Sequence, residues 1–162
     1  MTAHRPIALS ADVAAQARTT LASPHYGHPA RVEVASGYGP CRSCLATFRE
    51  GEEERILFTL DPFRGLDDYP LPGPVFIHRE GCRRFEEGAF PPGLRHLPLT
   101  FEGYGRERLI VARERTTAAA GPETVDAAIE RLLAYPAIDY IHVRNSEAGC
   151  YIARIERADR SE

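Results

Sequence analysis

The stretch YIHVRNSEAGCYIARIER, residues 140–157, decides the fold: IDYIHVR and CYIARIE read as two strands flanking the glycine-containing loop NSEAG. If that loop sets the register, residue 144 opposes 150, 142 opposes 152 and 140 opposes 154. Alternation then gives one apolar face of Ile141, Val143, Tyr151, Ala153 and Ile155. The other face carries Tyr140, His142, Arg144, Cys150, Ile152 and Arg154. An antiparallel hairpin needs only one buried face, so the plain reading of the second is that it meets water. Its composition weakens that reading without displacing it. It gathers the side chains that bind anions, ligate metals or move protons, and a free cysteine seldom sits in open water.

Working outward, further strands appear at RILFTL (55–60), VFIHR (75–79), PLTFEGY and RERLIVARE, with a short one around Arg31 to Val34. RILFTL is apolar on both faces and suits a central strand. The segment SADVAAQARTTL begins with Ser10 as an N-cap and forms a short helix. The strongest helix is PETVDAAIERLLAY, with Pro122 at its start and Val125, Ile129, Leu132 and Leu133 at i, i+4, i+7 and i+8. The expected fold is therefore α+β. It is a single domain over 1–162, with an antiparallel or mixed sheet of about five to seven strands and the helix at about 122–135 on one face. Residues 1–30 are read as an N-terminal helix and loop.

The 162 residues carry a net charge of −3, and every one of the 20 basic residues is arginine. That balance supplies no basic field for a nucleic-acid backbone, so no nucleic-acid partner is expected. Without lysine there is no Schiff-base anchor for pyridoxal phosphate and no P-loop lysine. Nucleotide motifs of the GxGxxG type are also missing. No apolar run is long enough for a membrane span and no secretory leader opens the chain, so the expected location is the cytoplasm. In that compartment the four cysteines are thiols or metal ligands rather than disulfides.

Cys41 and Cys44 form a CxxC, and His78 with Cys82 forms HxxxC after a strand. Two such pairs complete a Cys3His set for zinc or iron, although the gap between them is longer than in compact zinc ribbons. Buried packing thiols are the plain alternative. A redox CxxC would need a helix beginning at Cys41, which requires LATFREGE to be helical. Arg42, beside Cys41, favours a thiolate in any of these cases. HYGHP places His25 and His28 on a loop, where the helix and glutamate of an HExxH site are lacking.

Taken together, PCRSCL, the acidic turn before RILFTLDPF, GPVFIHREGC and IHVRNSEAGCYIARIER resemble the uncharacterised bacterial family called domain of unknown function 1203, over about residues 31–158. The resemblance implies no activity. The family-like positions are Cys41, Arg42, Gly73, Pro74, His78, Cys82, His142, Arg144, Gly149 and Cys150. If Cys44 lies outside the pattern, a site drawn from Cys41, His78, Cys82, His142 and Cys150 replaces the Cys3His set.

Three readings stay open. The first is a Cys/His metal site beside an arginine-bearing sheet face, with His142 as acid or base if there is a reaction. The second is a metal-free module in which Arg144, Arg154, Tyr140, His142 and Arg42 hold a small carboxylate or phosphate ligand. The third is a thiol-dependent enzyme with Cys150 as nucleophile and His142 as base.

Overall fold

A computed structural model describes residues 3–158. In chain order the elements are β1 (His4–Ile7), α1 (Ala11–Thr20), β2 (Arg31–Val34), β3 (Glu54–Leu60), β4 (Gly73–His78), β5 (Leu99–Tyr104), β6 (Ile110–Thr116), α2 (Thr124–Leu133), β7 (Tyr140–Asn145) and β8 (Tyr151–Arg157). The fold is α+β, and the strands divide between two antiparallel sheets rather than one. Contacts group the chain into two compact units: the first holds the chain up to Ile7 and from Glu86 onward, the second is Ala8–Phe85.

The first unit is a five-stranded sheet in the order β1-β8-β7-β5-β6. Helix α2 packs against β5 and β6 through Val125, Ala128, Ile129 and Leu132, all buried as their helical spacing predicts. Phe101, Ile141, Val143, Ala153 and Ile155 are buried in the sheet. Gly103 of β5 has no side chain for a physical reason: a Cβ there would collide with the Ile138 side chain that follows α2.

The central hairpin departs from the expected register. Asn145 belongs to the strand end rather than to the loop, because its side-chain oxygen accepts the N–H groups of Glu147 and Ala148, each at 2.9 Å, and closes the turn. Arg144 consequently opposes Tyr151, and a bulge between Val143 and Arg144 brings Val143 opposite Ala153, His142 opposite Arg154 and Ile141 opposite Ile155. The net shift is even along most of the pair, so the core face survives except for Tyr151. That ring packs on His142 instead, at a centroid distance of 4.9 Å.

The second unit is the sheet β2-β3-β4, with β3 central as its doubly apolar sequence requires. Ala14 and Ala17 of α1, together with Phe48, Ile56, Phe58, Val75, Ile77 and Cys41, build its core. Ser10 caps α1 as expected, its hydroxyl accepting Val13 N–H at 3.2 Å. The N-terminal thirty residues also contain β1, which the helix-and-loop reading omits. Its Pro6 lies on an edge strand paired to β8, where the missing N–H is tolerated. No helix among the described residues is long and apolar enough to cross a membrane.

Candidate metal centre

Cys41 and Cys44 stand at the two ends of a tight turn that the chain fixes by its own backbone. Cys41 N–H donates to the Ala46 carbonyl and Leu45 N–H to that of Cys41, both at 2.9 Å. Leu45 adopts φ +57°, so the chain doubles back immediately after the second thiol. The turn is tied down on three sides: Arg42 N–H to Phe76 O at 2.9 Å, Leu9 N–H to Arg42 O at 3.0 Å, and Phe85 N–H to Ser43 O at 2.9 Å. These bonds hold it against the edge of β4, whose last residue is His78. Gly81, at φ +75°, turns the chain so that Cys82 comes back toward the same place.

The four groups converge. Cys41, Cys44, His78 and Cys82 each offer a donor atom, and these donors all lie within 4.8 Å of one another. A tetrahedral ion with metal–sulfur bonds of about 2.3 Å needs sulfurs about 3.8 Å apart, so small side-chain rotations close the set. Cys44 Sγ lies 3.4 Å from His78 Nδ1, already at the spacing of two neighbouring ligands. Cys44 therefore belongs with Cys41, His78 and Cys82. His142 and Cys150 lie in the other unit.

Two residues that sequence reading passed over complete the surroundings. Glu53 pairs through its carboxylate with His78 Nε2, which fixes the tautomer that leaves Nδ1 facing the sulfurs. Arg18, from the last turn of α1, donates Nη2 to Cys82 Sγ at 2.9 Å and Nε to the His78 carbonyl at 3.0 Å. In sequence Glu53 is one acid in an acidic turn, and Arg18 resembles an ordinary cation at a helix C-terminus; only the pairing distinguishes them. Phe48 supports the imidazole at a centroid distance of 4.4 Å. A Cβ on Gly39 would strike the Phe48 ring.

The electrostatics ask for a cation. Hydrogen bonds from Cys44 and Cys82, and then from His78, hold the Cys41 thiol far below its usual range against its own burial. Cys41, hydrogen-bonded to both, in turn pushes Cys44 and Cys82 upward. Cys41 and Glu53 together raise His78 despite its desolvation. Removing the protons that Cys44 and Cys82 share with Cys41 places three thiolates in contact. A divalent ion relieves that repulsion.

Cys41 is fully buried, whereas Cys44, His78 and Cys82 line an open cleft of about 670 Å³ with Arg49, Glu53 and Arg83. The residues after Cys44 form no helix, so the support that a redox CxxC would need is missing. In the HYGHP loop, His28 Nε2 lies 2.9 Å from both Ser23 Oγ and Thr59 Oγ1, which gives it a packing role.

The sheet face singled out in the hairpin belongs to the first unit. His142 is fully buried among the rings of Tyr104, Tyr140 and Tyr151, at 5.2, 5.1 and 4.9 Å. Burial, and then Arg144, Arg154 and Arg108, push its pKa down to about 2. Arg144 Nε meets Glu102 Oε1 at 2.8 Å, and Arg154 Nε meets Glu156 Oε1 at 2.7 Å. Glu102 also takes Arg113 Nε at 3.1 Å. Each of these arginines thus already has a carboxylate of the protein at its Nε. Arg42 is buried in its turn and donates Nη1 to Pro40 O at 2.6 Å. Cys150 is partly exposed, its sulfur 3.8 Å from Ala148 O.

A family model described as "Protein of unknown function (DUF1203)" matches residues 38–157. No curated protein and no solved structure matches the chain.

Proposed function

The chain belongs to the DUF1203 family, whose description assigns no activity, and we propose from its own geometry that it is a metal-binding protein holding one zinc ion on Cys41, Cys44, His78 and Cys82. The observation that carries this reading is the convergence of three sulfurs and an imidazole nitrogen within 4.8 Å, with the far side of the imidazole already held by a carboxylate. A sulfur-rich tetrahedral set favours zinc, with iron the next choice, over hard oxygen-seeking ions. Four protein donors close the coordination sphere, as structural zinc sites do. The chemistry the ion supplies is the organisation of the second unit and neutralisation of its thiolates. Cys41 anchors it from the interior, and Cys44, His78 and Cys82 hold it toward the cleft. We place the protein in the cytoplasm, where its four unbridged thiols stay reduced.

Elemental analysis of chain purified without added metal tests the reading. About one zinc per chain is expected, with thiols that react fully only after denaturation. Well under one ion of any transition metal per chain would sink it; stoichiometric iron in place of zinc would change the ion and leave the ligands.

Glu53→Gln keeps a hydrogen-bonding group beside His78 Nε2 but removes the charge. It is expected to weaken zinc about 10- to 100-fold in competition with a chromophoric chelator while leaving the far-ultraviolet circular dichroism unchanged. Unchanged affinity would mean that Glu53 is merely a surface partner of Arg49, with which it also pairs at 2.8 Å.

A further inference from the structure

We propose that the centre is a reversible peroxide switch: oxidation joins Cys44 to Cys82 as a disulfide and releases the ion. This rests on the zinc reading and adds to it a regulation of the same site.

The argument begins with access. A closed structural zinc site keeps its thiolates away from solvent, but here two of the three sulfurs line an open cleft while Cys41 stays buried behind them. A small neutral oxidant such as hydrogen peroxide therefore reaches Cys44 and Cys82 and not Cys41. The two exposed sulfurs also differ from each other. Cys82 Sγ accepts a charge-assisted hydrogen bond from Arg18 at 2.9 Å, which withdraws electron density from it. Cys44 Sγ has the His78 ring beside it instead, 3.4 Å from Nδ1. Cys44 is thus the better nucleophile. Cys41 accepts the His78 backbone N–H at 3.3 Å and is held in the core.

The chemistry balances with peroxide as the oxidant. The Cys44 sulfur attacks one peroxide oxygen; the S–O bond forms, the O–O bond breaks, and hydroxide leaves to be protonated to water. The Cys44 sulfenic acid then meets the Cys82 thiolate, its sulfur within 4.8 Å. The S–S bond forms at about 2.05 Å, the S–O bond breaks, and a second hydroxide leaves as water. Two thiolates, one peroxide and two protons give one disulfide and two waters. With two of its four donors in a disulfide, the site keeps only Cys41 and His78, too few to retain zinc. A dithiol reductant reverses the exchange.

The test uses the full chain as purified, with its zinc content measured first. Peroxide at roughly tenfold excess is expected to bring zinc from about one to under a tenth per chain, read by a chromophoric zinc probe. Peptide mapping after thiol blocking is expected to show the Cys44–Cys82 pair, and dithiothreitol with added zinc to restore the starting content. Zinc retained under peroxide, a disulfide through Cys41, or loss of zinc with only sulfinic or sulfonic acid at Cys44 would each overturn the switch while leaving the zinc reading intact. Chain that carries no transition metal before peroxide overturns both.

Discussion

Stripping the ion with a strong chelator is expected to unfold much of the second unit and to leave the five-stranded sheet of the first folded. The centre joins the turn at Cys41, the end of β4 at His78 and the following bend at Cys82, and through Arg18 it reaches α1. The apolar core around it is modest, a three-stranded sheet against a helix whose buried residues are alanines. A unit of fewer than about 80 residues with such a core draws much of its stability from a staple. A ligand bound only by the folded state, at a free concentration a thousand times its dissociation constant, contributes about 4 kcal/mol. Zinc sites built into small folds reach higher apparent values still. Hydrogen exchange with and without chelator is the direct measurement. Protection is expected to collapse in β3, β4 and α1 and to persist in β5, β7 and β8, and Cys41→Ser should reproduce the chelated pattern in the presence of zinc. Full protection of β4 after the ion is gone would show that the core stands alone and that the centre is an accessory.

The Cys3His donors were legible in the sequence because cysteine and histidine are few and their spacings are conspicuous. Their convergence was not, since β3 and the irregular stretch after it separate Cys44 from His78 and nothing in that composition states where β4 returns. A site shared with His142 and Cys150 was the alternative only if Cys44 lay outside the family-like positions; the geometry includes Cys44 and gathers all four donors in Ala8–Phe85. The supporting charges were hidden for a different reason. Arg18, Glu53 and Glu102 are common residue types at unremarkable positions, and only cross-strand pairing and helix packing give them partners. The β5 Glu102 opposes His142 and takes Arg144, so the arginine of the apparent anion-binding face has a carboxylate of its own. Helix α2 followed from its periodicity and Pro122, and central β3 from a run apolar on both faces. The β7–β8 register failed at Asn145, whose side chain mimics a backbone acceptor and shortens the loop, and at the bulge that no local pattern announces.

Replacing His142 by Phe is expected to flatten the acid dependence of stability. The imidazole is enclosed by Tyr104 from β5, Tyr140 from β7 and Tyr151 from β8, and Arg144, Arg154, Arg108 and Glu102 are the charged groups around it. Its pKa falls from 6.5 to about 2, first by desolvation and then by the three arginines. Between those values the unfolded chain binds a proton that the native state refuses. The stability that the neutral form preserves is therefore fully present above pH 6.5 and is lost steadily as pH falls toward 2, at about 1.4 kcal/mol per unit. From pH 7 to 4.5 the loss from this residue is roughly 2 to 3 kcal/mol. Every other titrating group is shared by wild type and variant, so comparing urea unfolding of both at the two pH values isolates it. The variant should lose less stability by that amount. Equal losses, together with a His142 ring that titrates near its unperturbed value by NMR, would show an imidazole that takes up protons in the native state. That outcome would restore His142 as a proton-transfer partner for Cys150; the expected one leaves it a neutral ring whose work is to fill an aromatic cage.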